Sequence, residues 1–248
     1  MIYKDISLNI IDNLIELMEY TDCLKQQKYL NMSGDYTDDW MGHTGMRHVP
    51  EDRSRKAMDY YNEILEPIIG YKPNAHGRYA LYLNPIPMHN DGQNKLGSNH
   101  INWVGPKPAN TTIFFPLRII PKEGKSSGST STIYFDQMDP HSDKSGKVFV
   151  NSDESFYRRH GHTTWVDGHD YSDLVNYTHK PFPTEDHRKY LTQHPIEKLF
   201  GFSFKEEAPW NIGQVAIFET ARLHCSKHMD NCYRKDCFLV KTNTDLWD

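Results

Sequence analysis

From residue 77 onward the chain repeats its apolar residues with the period of β-strands, and this change of period limits the possible folds more than any other feature. GRYALYL (77–83) alternates, TTIFFPLRII (111–120) and STIYF (131–135) are β-branched and aromatic, and KVFV (147–150), GQVAIFE (213–219) and KDCFLVKT (235–242) follow. Strands of this length between Gly, Pro and Asn turns predict an antiparallel sandwich or jelly roll. Before residue 77 the period is helical. Residues 7–20 carry a stripe of Ile10, Ile11, Leu14, Ile15, Leu17 and Met18 behind a candidate cap, Ser7, and residues 54–69 form a second helix disturbed by Pro67. The class is therefore α+β, mainly β, with N-terminal helices bracing one face of the β-structure.

No linker divides the 248 residues, so a single domain is expected over 1–248. Within it, 1–76 is helical support, and 77–150 with 206–248 is the β core. Residues 151–205, polar and dense in His, Tyr and Asp, read as an insertion or lid with a short helix near 184–200. A net charge of -5 does not favour duplex nucleic acid as a partner. The cysteines, Cys23, Cys225, Cys232 and Cys237, have no CxxC spacing and read as reduced thiols. No membrane span or signal peptide is legible, so a cytoplasmic location is expected, in the host cytoplasm if the source is viral.

Three His-x-Asp pairs occur: His89/Asp91, His141/Asp143 and His228/Asp230. On extended backbone an imidazole and a carboxylate at i, i+2 point to the same side and can share a metal. Only His89-Asn-Asp directly follows a predicted strand and has further strands after it to close a barrel. His141-Ser-Asp sits in a loop, and His228-Met-Asp in a polar turn. A third ligand is offered by His224, just past the strand of GQVAIFE. Two His and one carboxylate form a facial triad that leaves three positions of an octahedral Fe(II) open for a cosubstrate and O₂.

A 2-oxoglutarate cosubstrate needs a cation deep in the barrel for its distal carboxylate, and YRKDCFLVKT supplies Arg234, Lys235 and Lys241. If Lys235 points inward, so does Cys237, which is small and harmless. If Arg234 points inward, Asp236 comes with it and repels the cosubstrate. Alternation favours Lys235, with Arg234 as the second candidate.

The order of His-x-Asp, the TTIFFPLRI/STIYFDQ pair, G-x-x-x-x-F…LHCS and a basic residue opening the last strand resembles Fe(II)/2-oxoglutarate-dependent dioxygenases, in particular small members encoded by bacteriophages. The resemblance covers residues 77–138 and 209–243. It implies a double-stranded β-helix of the cupin-like jelly-roll kind, with Fe(II) as cofactor and 2-oxoglutarate as cosubstrate. It also implies oxidation of a substrate C–H bond with release of succinate and CO₂. Tyr79 and Tyr82, on the strand before His89, carry phenols that would bond a cosubstrate carboxylate. Two other readings use the same scaffold: a cupin-type metal enzyme without 2-oxoglutarate, and a non-catalytic jelly-roll binding module. Tyr157, Arg158, Arg159, His160, His162 and Trp165 are candidates for contacting a substrate whose class the sequence does not name.

Overall fold

The computed structural model describes residues 1–20, 29–30, 36–37, 47–48, 57–71, 73–82, 85, 88, 111–125, 128–138 and 174–242. Its strands are β1 (Ile2–Asp5), three two-residue strands β2 (Tyr29–Leu30), β3 (Tyr36–Thr37) and β4 (Arg47–His48), then β5 (Pro73–Tyr82), β6 (Thr111–Pro121), β7 (Ser131–Met138), β8 (Phe204–Pro209), β9 (Gln214–Glu219), β10 (Arg222–Ser226) and β11 (Cys232–Thr242). Among the described residues they make a six-stranded sheet in the order β1-β9-β6-β11-β5-β4 and a three-stranded sheet in the order β10-β7-β8, besides the β2-β3 pair. Every pairing is antiparallel. From β8 the chain passes from the small sheet to the large one at β9, back at β10 and over again at β11. Such crossing between two facing antiparallel sheets is jelly-roll architecture.

The continuous apolar run of β6 follows from its place in the middle of the large sheet, covered on both faces. On one side Ile113, Phe115 and Leu117 join Val215, Ile217, Phe238 and Val240 in a core with helical residues Ile10, Ile11, Leu14, Tyr61, Leu65 and Ile69. On the other, Phe114 joins Ala216, Phe218, Cys237 and Leu239 of the large sheet with Tyr134, Ala208 and Trp210 from the small-sheet side. Pro116 has no N–H to give a ladder. The β6–β11 register shifts between Asp236 and Cys237 beside it, and the β6–β9 pairing stops at Phe114, so no hydrogen bond is asked of it.

Helix α1 (Leu8–Tyr20) starts one residue after Ser7, whose carbonyl accepts the Ile10 N–H at 3.1 Å. Its Ile10, Ile11 and Leu14 are buried and Asn9, Asp12 and Asn13 exposed, the stripe its period predicts. Helix α2 (residues 57–69) contains a π turn at Tyr61–Leu65 just before Pro67. In a regular α-helix the Pro67 ring would meet the Glu63 carbonyl, and the wider turn relieves that clash. Gly70, at φ 84°, closes the helix in the left-handed conformation. Tyr61, fully buried, sets its ring edge-on to Phe115 at 6.2 Å and donates its hydroxyl to the Tyr71 carbonyl at 2.8 Å.

A third core lies on the outer face of the small sheet. Ile133 and Phe135 of β7 and Leu223 and Cys225 of β10 cluster there with Met88, Phe182, Tyr190, Leu191, Leu199 and Phe202. Helix α3 (Thr184–Tyr190) supplies Tyr190, a 3₁₀ turn (Ile196–Leu199) supplies Leu199, and the segments beside them supply Phe182, Leu191 and Phe202. The described part of the 151–205 stretch thus covers the outside of the small sheet, and β8 begins at Phe204. KVFV (147–150) lies outside the described residues. Among the described residues no helix is long and apolar enough to cross a membrane.

Candidate metal and cosubstrate site

The RLHCS strand β10 is fully buried because its two faces serve two cores. Leu223 and Cys225 belong to the outer cluster, so alternation turns Arg222, His224 and Ser226 toward the space between the sheets. His224 sits within this strand, paired with Tyr134 of β7, rather than just past a strand end. The reason is the two-residue turn at Thr220 and Ala221, which sends the chain from the large sheet into the small one and begins a new strand. The imidazole stacks on Tyr134 at 5.4 Å and meets Phe218 at 5.1 Å. Its Nδ1 lies 2.9 Å from the Arg222 carbonyl. A carbonyl only accepts, so Nδ1 is the donor in this contact, and in a neutral ring the lone pair then falls to Nε2. A ring held in this way could ligate a metal through Nε2.

Lys235 has no exposed surface at all. It lies on β11 with Cys237 on the face turned to the small sheet, and its Nζ donates to Ser226 Oγ at 2.8 Å. Ser226 is two residues beyond His224, one same-face step of roughly 6.6 Å along a strand. Two aromatic faces also lie near the ammonium: Trp210, whose ring centroid is 4.4 Å from Nζ, and Tyr82, at 5.6 Å. Among the described residues no carboxylate pairs with it. Burial pulls its pKa down from 10.5 to about 8, while Cys237, Cys232 and Cys225 push weakly the other way. A buried cation without a counter-ion is costly, and such groups mark binding sites more often than stabilising contacts.

Arg234 turns the other way. Its guanidinium holds Asp236 through Nε at 2.6 Å and Nη2 at 2.7 Å, and Arg118 Nε reaches the same carboxylate at 2.9 Å. Asp236 is fully buried, so the two arginines compensate a charge that would otherwise face a dry core. Tyr82 is buried opposite Lys235 in the β5–β11 register, and Tyr79 is paired with Phe238. Lys241 is buried near the end of β11, paired with Thr112.

His89 and Asp91, and likewise His141 and Asp143, lie outside the described residues, as do Tyr157 to Trp165. His228 and Asp230 are 3.5 Å apart in the turn before β11, with the carboxylate largely exposed. Among the described residues no group of three or more His, Cys, Asp and Glu side chains could hold a metal. His224 therefore needs partners from beyond them to form a centre. Two residues of the site have no sequence motif, Ser226 and Trp210. Ser226 could have been found from the alternation of RLHCS, whereas Trp210 lies after β8, a strand too polar to read.

No family model matches the chain, and no curated protein does. Solved structures similar over nearly its whole length include the following three. One is SnoK, a non-heme alpha-ketoglutarate-dependent carbocyclase from nogalamycin biosynthesis, at 11% identity and TM-score 0.45, covering 98% of this chain and 80% of that one. Another is EvdO2 from Micromonospora carbonacea var. aurantiaca, complexed with 2-oxoglutarate, at 11% and 0.42, covering 99% and 88%. The third is a Pseudomonas putida prolyl-4-hydroxylase, at 8% and 0.37, covering 98% and 92%. Identities and scores this low leave the chemistry to be argued from the chain's own side chains.

Proposed function

We propose that this chain is an Fe(II)- and 2-oxoglutarate-dependent dioxygenase, with His89, Asp91 and His224 as iron ligands and Lys235 as the anchor for the distal carboxylate of 2-oxoglutarate. The observation that carries the reading is the Lys235 ammonium. It is buried between the sheets, has no carboxylate partner among the described residues, and is joined through Ser226 to the strand of His224. A dianionic cosubstrate spanning the two would give the ammonium a counter-ion. Met88, the residue before His89 in the chain, is buried in the outer cluster that also holds Leu223 and Cys225 of the His224 strand.

Each residue then has a physical task. His224 offers Nε2 because Arg222 holds its Nδ1 proton. Lys235 fixes one end of the cosubstrate, and Tyr82, beside it, is the phenol assigned to the same carboxylate. Trp210, Phe218 and Tyr134 keep water from the interior, which strengthens every charge interaction there. When bound, iron and 2-oxoglutarate supply with O₂ the oxidising power to attack a substrate C–H bond, yielding succinate and CO₂.

Anaerobic titration of the protein with Fe(II) and 2-oxoglutarate tests this through the weak visible charge-transfer band of the chelate. The band is expected in wild type and is expected to disappear in His224→Ala and Asp91→Ala. Its absence in wild type, or its persistence in His224→Ala, would refute the assignment.

A further inference from the structure

Among the described residues Trp210 has the aromatic ring nearest the Lys235 ammonium, and its side chain is well held. The Trp210 indole is nearly buried, and its Nε1 donates to Thr132 Oγ1 at 3.0 Å in a buried bond. Its backbone N–H is taken by the Thr130 carbonyl at 3.0 Å. Phe114 meets the ring edge-on at 4.6 Å and Tyr82 at 6.1 Å. Swinging the indole aside would break the Thr132 bond and disturb two aromatic contacts, so the ring is a fixed wall.

Trp210 also lines a small recess between the sheets, together with Phe114, Thr132, Tyr134 and Ala208, whose lining does not include Lys235. The indole therefore touches Lys235 at 4.4 Å and the recess as well. Lysine is flexible over four carbons. Among the described residues the indole is in contact with both Lys235 and the recess, and it bars the ammonium from drawing back into the recess.

Resting on the dioxygenase reading above, we propose that Trp210 is the chain-length gauge of the cosubstrate site: by holding the Lys235 ammonium forward, it excludes 2-oxo dicarboxylates longer than five carbons. A six-carbon homologue needs the ammonium about one methylene further back, and the wall refuses it.

The test is calorimetric titration of 2-oxoglutarate and 2-oxoadipate into protein loaded with redox-inert Mn(II). Wild type, Trp210→Ala, Trp210→Leu and Trp210→Phe are compared. Wild type is expected to favour 2-oxoglutarate by about tenfold or more, the usual worth of one methylene in a closed pocket. Trp210→Ala and Trp210→Leu are expected to narrow the ratio by about tenfold, chiefly by tighter binding of 2-oxoadipate. Trp210→Phe keeps a ring in place and is expected to retain most of the preference. A general loosening of the fold would weaken both acids equally and leave the ratio unchanged. An unchanged ratio in whichever of the Ala and Leu variants folds, or no preference in a wild type that does bind 2-oxoglutarate, overturns the inference alone. Wild type binding neither acid overturns the dioxygenase reading and this inference with it.

Discussion

Replacing Lys235 by Met should make the protein more stable while destroying its capacity for 2-oxoglutarate. The side chain is fully buried, and the fall of its pKa from 10.5 to about 8 is caused first by lost solvation. At about 1.4 kcal/mol for each pH unit, holding the charge in the fold costs about 3 kcal/mol at neutral pH. Against this, the substitution forfeits the Nζ–Ser226 bond, worth about 1–2 kcal/mol for a charged donor. Desolvation wins by about 1–2 kcal/mol, and Met fills nearly the same volume without a charge. The pH dependence identifies the source. Between pH 8 and 10.5 the unfolded chain keeps the lysine proton while the folded chain has released it, so wild-type stability rises with pH across that window. The advantage of Lys235→Met should be full below pH 8 and gone above 10.5. Urea unfolding of both proteins from pH 6.5 to 10.5 measures this, and a parallel titration with 2-oxoglutarate should stabilise wild type alone. A variant less stable than wild type at pH 7, with the difference constant up to pH 10.5, would refute the claim that an uncompensated ammonium is held for binding.

Acid should act through His194. This side chain is almost fully buried with no hydrogen-bond partner for Nε2 among the described residues, and burial, aided by His187, lowers its pKa to about 4. The unfolded chain takes up this proton near pH 6.5 and the folded one only near 4, so stability is lost as pH falls through that interval, by up to about 3 kcal/mol. His194→Phe should flatten the stability profile between pH 6.5 and 4, as read by urea unfolding; an unaltered slope would assign the acid sensitivity elsewhere. Gly201 stands at φ 87° with an added Cβ only 1.8 Å from Tyr177 Cε2, so Gly201→Ala should cost about 2 kcal/mol or more, seen as a lowered melting temperature. Cys225→Ser should also destabilise, by about 1–3 kcal/mol, because it buries a hydroxyl among Leu223, Ile133 and Phe135; a thermal midpoint equal to wild type would contradict that packing.

The period of the side chains carried the strands of the core into view. β5, β6, β7, β9 and β11 are legible because the alternation or the apolar run of each stands out. The facing of Lys235 and Asp236 to opposite sides was legible too, since alternation on a strand is a local geometric necessity. Shorter and more polar strands were not legible. β1, β8 and β10 have four, six and five residues, and their identity comes from the neighbours that pair with them. His224 shows the division clearly. Local sequence marks it as a histidine after a strand, but its inward aim depends on Leu223 and Cys225 finding an apolar partner surface, supplied by residues 182–202 and Met88.

Composition and spacing thus determined a mainly β chain, its helical N-terminal part, and a short set of metal and anion candidates. These depend on contacts within a few residues. The pairing of β11 between β5 and β6, the capture of Lys235 by Ser226, and the Trp210 wall behind it were decided only by tertiary structure. Each joins residues far apart in the chain, and no local pattern encodes which distant strand will lie alongside another.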